Sequence, residues 1–153
     1  MAATVVAPVA AGEPSLQESV TSCTWLFALP DVEDGELNEA LSTATAAESL
    51  PLERQRKGKS STDDLRASLI ELTSVGDRAA ELLPAGTKGS AFLAELATQP
   101  RTARPSELLQ VLGYDPLAAR VRRLHQWIAH DSDRREPLAA PALCSARIEM
   151  CAP

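Results

Sequence analysis

One stretch of this chain has to be buried in any soluble fold: Thr24-Trp25-Leu26-Phe27-Ala28-Leu29, apolar almost all round and closed by Pro30. Burying side chains of this kind stabilises a fold by roughly 1.5–3 kcal/mol each, so the segment belongs at the centre of the core. Upstream of it, Leu16, Val20, Cys23 and Phe27 recur at steps of 4, 3 and 4, one face of a helix. Ser15, with Glu18 three residues later, has the form of a capping box. The pattern predicts a buried helix over residues 15–29, ended by Pro30.

Downstream, an acidic connector at 31–35 leads to a second helical stripe at 36–49, formed by Leu37, Ala40, Leu41, Ala44 and Ala47. Residues 50–61, with Pro51, Gly58, serines and an Arg-Gln-Arg-Lys-Gly-Lys run, read as a flexible, solvated loop. The longest periodic segment is 62–83, where Leu65, Leu69, Leu72, Val75, Ala79 and Leu82 form an amphipathic stripe before Pro84 and Gly86. Ser90 caps a short helix carrying Phe92, Leu93 and Leu96. Pro105 opens another helix at 106–112, and Gly113 is a natural stop. Asp115-Pro116 restarts a helix whose face is Leu117, Val121, Leu124 and Ile128. Five aromatics in a chain rich in Ala and Leu favour helices over a sandwich or barrel. The expectation is all-α: a compact bundle of about six helices over residues 15–131, with a disordered leader (1–14) and an irregular tail (132–153).

The net charge of −6 is unevenly spread. Residues 1–52 hold eight acids and no Lys or Arg, residues 53–61 carry +3, 62–99 carry −3, and 100–153 carry +2. A globally negative chain argues against a general nucleic-acid binder, since phosphate affinity needs a positive field. No uncharged apolar run approaches the ~20 residues of a transmembrane helix. Cys23, Cys144 and Cys151 are odd in number and widely spaced, which fits a reducing compartment, with Cys23 a buried free thiol. The N-terminal residues lack the basic residues of a signal or a mitochondrial presequence, which makes the cytoplasm the expected location.

The sequence contains no phosphate-binding loop, nucleophile elbow, metal-ligand pair or dinucleotide fingerprint. His125 and His130 are five apart and do not share a helical face. No catalytic residue, metal or cofactor is expected. What remains is a spacing on the central stripe: Leu72, two residues, then Val75, Gly76 and Asp77. A mid-helix glycine costs about 1 kcal/mol against alanine, and has a use where a partner lies close.

Glu71-Leu72-Thr73-Ser74-Val75-Gly76-Asp77 resembles the BH3 motif, and the order of segments around it resembles BID-like pro-apoptotic members of the Bcl-2 family. Thr24-Trp25-Leu26-Phe27-Ala28-Leu29, Glu36-Leu37-Asn38-Glu39-Ala40-Leu41 and Glu107-Leu108-Leu109-Gln110-Val111-Leu112 carry the rest of it. The resemblance implies a Bcl-2-like bundle whose groove-binding face is Leu65, Leu69, Leu72, Val75, Gly76, Asp77 and Ala79. The partners it implies are Bcl-2 family proteins, with relocation to the mitochondrial outer membrane and promotion of apoptosis. Ser68 and Ala79 depart from the family pattern, which has hydrophobic residues there, and three arginines in 117–130 depart from its apolar central hairpin. Asp31-Val32-Glu33-Asp34-Gly35 resembles an executioner-caspase site, with Asp34–Gly35 the scissile bond. The alternatives are a non-catalytic helical subunit or adaptor of a larger intracellular assembly, and a helix-turn-helix DNA binder. In the last, Arg120, Arg122, Arg123 and His125 would face phosphates.

Overall fold

The computed structural model describes Gly12 and residues 14–56, 59–76, 88–130 and 133–137. The fold is predominantly β, which corrects the all-α, Bcl-2-like expectation. Seven strands are described: β1 (Ser22–Pro30), β2 (Pro51–Arg56), β3 (Lys59–Asp64), β4 (Leu69–Ser74), β5 (Gly89–Ala97), β6 (Arg120–His130) and β7 (Asp133–Arg135). Helices among the described residues are α1 (Leu16–Ser19), α2 (Asp34–Ala46) and α3 (Pro105–Val111), with one 3-10 turn, Arg66–Ser68.

Five strands form an antiparallel sheet in the order β4-β5-β1-β6-β7, and β2 and β3 form a separate hairpin. The apolar stretch ending at Pro30 is therefore a central strand between β5 and β6. Such a strand has protein on both faces and reads as a continuous apolar run without period-2 alternation. A run of that kind imitates a buried helix. Leu26, Phe27, Ala28 and Leu29 are all buried, as no single-faced helix requires. β5 is equally enclosed, so Gly-Ser-Ala-Phe-Leu-Ala-Glu-Leu-Ala, good helix formers in isolation, is held extended by its two neighbours.

β4 and β6 each carry one bulge. On β6, Trp25 pairs with Arg123 but Thr24 pairs with His125, so Leu124 is one extra residue in the strand. On β4, Leu69 faces Leu96 and Glu71 faces Glu95, so Ile70 is extra. A bulge turns a same-face step of two into a step of three. Leu69 and Leu72 thus share a sheet face three positions apart, imitating a helix.

Residues on alternate positions divide the sheet into two faces. Phe27, Leu29, Phe92, Ala94 and Leu96 meet Leu37, Leu41 and Ala44 of α2 and Leu108 and Leu109 of α3 in the main core. The Phe27 and Phe92 rings, cross-strand partners, stack with centroids 4.5 Å apart. Leu26, Ala28 and Ala91 form a smaller cluster on the opposite face, joined by Val75, Leu93 and Leu124. At the β1–β5 junction Gly89 has φ +146°, and a Cβ there would lie 2.2 Å from the Leu29 carbonyl oxygen. No other residue fits.

α2 buries the expected stripe, Leu37, Leu41 and Ala44. α3 starts at Pro105, its Glu107 accepts the Arg104 backbone N–H at 3.0 Å, and Gly113 follows with φ +84°. The loop expected at 50–61 is instead the β2–β3 hairpin, fixed at its base by Asp64. One Asp64 oxygen accepts the backbone N–H groups of Leu50 (2.8 Å) and Arg66 (2.9 Å), which holds its carboxyl below the usual range. Arg54 bridges the hairpin to Glu107 of α3, and Arg101 pairs with Asp63. Part of the tail, Asp133–Arg135, is strand β7.

Candidate functional site

The groove-binding residues expected from sequence do not form one surface. Leu65 and Leu69 are buried in the main core and Leu72 packs against it, whereas Val75 packs on the opposite sheet face. Gly76 has φ +56°, and a side chain there would meet nothing within 4 Å, so this glycine serves backbone conformation and not a close approach. Asp77 and Ala79 lie outside the described residues. Asp31 sits in an exposed turn at φ +64°, while Asp34 and Gly35 occupy the exposed first turn of α2. The Asp34–Gly35 bond is thus helical, and a protease that needs an extended peptide would first have to unwind that turn. Arg120, Arg122, Arg123 and His125 lie on β6, not on a recognition helix.

A different constellation emerges beside α1. The Ser15–Glu18 capping box is present: Glu18 accepts from the Ser15 N–H (2.9 Å) and hydroxyl (2.7 Å). These bonds hold the Glu18 carboxyl below its usual range, leaving it ionised and occupied. After one turn the chain enters β1, and the 98–103 segment following β5 is tied to this entrance. Thr98 donates its hydroxyl to the Val20 carbonyl, and the Gln99 amide donates to the Glu18 carbonyl at 2.6 Å. Between these walls lies a cleft of about 860 Å³ whose floor is the helix-covered face of the sheet at Cys23, Trp25 and Leu96. Arg123 and Gln126 of β6 form its far side. Roughly 300–1,000 Å³ is typical of small-molecule sites.

Register explains the meeting. Trp25 and Arg123 are cross-strand partners at the β6 bulge, and the Arg123 guanidinium carbon lies 5.8 Å from the Trp25 ring centroid. Cys23 is a free thiol, 5% exposed. Burial pushes its pKa up, and the nearby Arg123 cation opposes that shift. Among the described residues, no carboxylate lies within salt-bridge distance of Arg123. The cleft therefore offers an aromatic face, an exposed guanidinium with no carboxylate partner among the described residues, and a protonated thiol at neutral pH. A smaller hollow of about 390 Å³ between α2 and the end of α3 presents Glu36, Glu39 and Tyr114, with no cation in its lining.

Sequence reasoning identifies Cys23 as a buried thiol and Arg123 as a surface cation, but it places neither in a site. The meeting of Arg123 with Trp25 depends on pairing between strands distant in the chain, which no local pattern carries. Among the described residues no group of three or more His, Cys, Asp or Glu side chains is arranged to hold a metal, and no helix is long and apolar enough to cross a membrane. In comparisons with known proteins, no family, no curated protein and no solved structure matches the chain.

Proposed function

We propose that this chain is a ligand-binding domain whose cleft beside α1 takes a flat organic anion, an oxyanion carried on a ring. The observation that carries the reading is Arg123, a guanidinium over the Trp25 ring with no carboxylate partner among the described residues. A guanidinium pairs carboxylate and phosphate oxygens in a bidentate fork, and its plane and the indole favour a stacked ring. Hydrogen bonds to charged groups contribute about 1.5–3 kcal/mol, more than neutral ones. Gln126 at the rim supplies a neutral amide for a second polar group. The BH3-like stripe is not one helical face: Leu69–Ser74 is a strand with its side chains divided between two faces.

The test is a fluorescence titration of Trp127→Phe, in which Trp25 is the sole indole, with benzoate, indole-3-carboxylate and adenosine monophosphate. A saturable change with at least one ring-bearing anion is expected, together with a loss of about tenfold or more in affinity on Arg123→Ala, equal to about 1.4 kcal/mol. No saturable change with any of the three, in a protein shown to be folded, overturns the proposal.

A further inference from the structure

On the opposite face of the sheet a second arginine meets a second tryptophan, and there the arrangement is closed. Glu95, on central strand β5, is 5% exposed. One of its oxygens accepts the Ser22 hydroxyl at 2.5 Å, and the other accepts an Arg134 N–H at 2.7 Å. The Arg134 guanidinium carbon lies 3.9 Å from the Trp127 ring centroid, and the Trp127 indole N–H is fixed to the Thr24 hydroxyl at 2.8 Å. Ser22, Thr24, Glu95 and Trp127 therefore build a slot with a carboxyl wall, an aromatic floor and oriented hydroxyls. All four stand on strands inside the sheet.

The occupant stands on something much weaker. β7 is three residues long and exposed throughout, and among the described residues it is the edge strand, paired only with β6. The Arg134 side chain is itself 44% exposed while that of Glu95 is 6%. A buried carboxylate left without a cation is strongly unfavourable, whereas any cation of the right shape satisfies it. The demand for a guanidinium is thus built into the sheet, and the supply sits on a short edge strand.

We infer that the Glu95–Trp127 slot is a recognition site for an alkylguanidinium ion, held closed in the isolated chain by its own Arg134 and opened by exchange of β7 for an incoming guanidinium. The ligand is either a small alkylguanidine or the arginine of a peptide; both present the same planar cation. The site is separate from the anion cleft, and neither reading depends on the other.

The test uses the full chain, with the Trp127 indole N–H resonance as reporter. Two probes are titrated at millimolar concentration, ethylguanidinium chloride and acetyl-Gly-Arg-Gly-amide, against sodium chloride at equal ionic strength. In Arg134→Ala the resonance should move saturably, with a rise in thermal midpoint that sodium does not reproduce. In the unaltered chain the same probes should bind about tenfold or more weakly, because they compete with Arg134. Should Arg134→Ala fail to fold, Arg134→Lys replaces it, since lysine keeps the charge but loses the planar fork. Binding of the free ion alone assigns a small-molecule ligand, and binding of the peptide alone assigns a protein arginine. No saturable shift in the Arg134 variant overturns the inference. So does binding to the variant with none to the unaltered chain at saturating probe, since the ion pair is then purely structural.

Discussion

Arg123 and Arg134 are the same side chain over the same ring type on the two faces of one sheet, yet they stand in opposite electrostatic states. Arg134 lies 3.9 Å from the Trp127 ring and is anchored to buried Glu95, whereas Arg123 lies 5.8 Å from Trp25 with no carboxylate in reach among the described residues. The strand register decides this. Glu95 points to the face that carries Thr24, and Leu96 to the face that carries Cys23. A cation beside an aromatic ring is not in itself a binding site. It becomes one when no carboxylate of the chain occupies it, and where such a carboxylate is present the site belongs to whatever can replace the arginine.

The comparison breaks most visibly in stability. Arg134→Ala leaves Glu95 buried without a cation, and breaking such a pair costs up to roughly 3–5 kcal/mol. With Arg134 half-exposed, about 2–3 kcal/mol is expected in denaturant unfolding, while Arg123→Ala stays within about ±0.5 kcal/mol. Equal costs would mean that the two arginines are alike and that the register argument fails. The double change Arg134→Leu with Glu95→Leu should recover most of the loss, since an apolar pair removes the unpaired charge.

Gly89 sharpens the comparison from the frame that both faces share. Gly89→Ala forces a Cβ against the Leu29 carbonyl, and overpacking of this kind costs about 1–3 kcal/mol. The β1–β5 register should loosen, so the Trp25 and Trp127 emissions should both shift red together. A change confined to one tryptophan would show that the faces respond independently.

The smallest effects concern Cys23. Burial raises its pKa and Arg123 lowers it, so Arg123→Ala should slow thiol alkylation at a fixed mildly alkaline pH. The folded chain favours the protonated thiol, so this contribution to stability is complete below the ordinary thiol value of 9.0 and is lost as pH rises through the higher folded value. Cys23→Ala should therefore flatten the decline of unfolding free energy above that pH. On the acid side, Asp64 and Glu18 have lowered pKa values, so their contributions are present above the ordinary carboxylate range and fade as pH falls through the folded values. Asp64→Asn should make unfolding less sensitive to acid.

What was legible in the sequence was local. The Ser15–Glu18 box, the α2 stripe, Pro105 opening α3 and Gly113 ending it are each written within a few residues, and each is present. Burial of the stretch ending at Pro30, and of Cys23, was legible too, because so many apolar side chains have no other place. Whether that stretch was helix or strand was not, because residues buried on all sides lose the periodicity that separates the two. The step from Leu69 to Leu72 looked helical because Ile70 is a bulge, whereas Val121 and Leu124, also three apart, belong to opposite faces of the sheet.

The sites were less legible still. Trp25 meets Arg123, and Glu95 meets Arg134, only through β1 pairing with β5 and β6 and through β7 folding back on β6. Residue patterns alone gave which segment is buried, where α1 and α3 start and where α3 stops, and that a cation surplus falls late in the chain. The tertiary structure alone decided helix against strand in the core and the partner of each arginine. Both depend on hydrogen bonds between strands distant in sequence, and a one-residue bulge sends every later side chain to the other face.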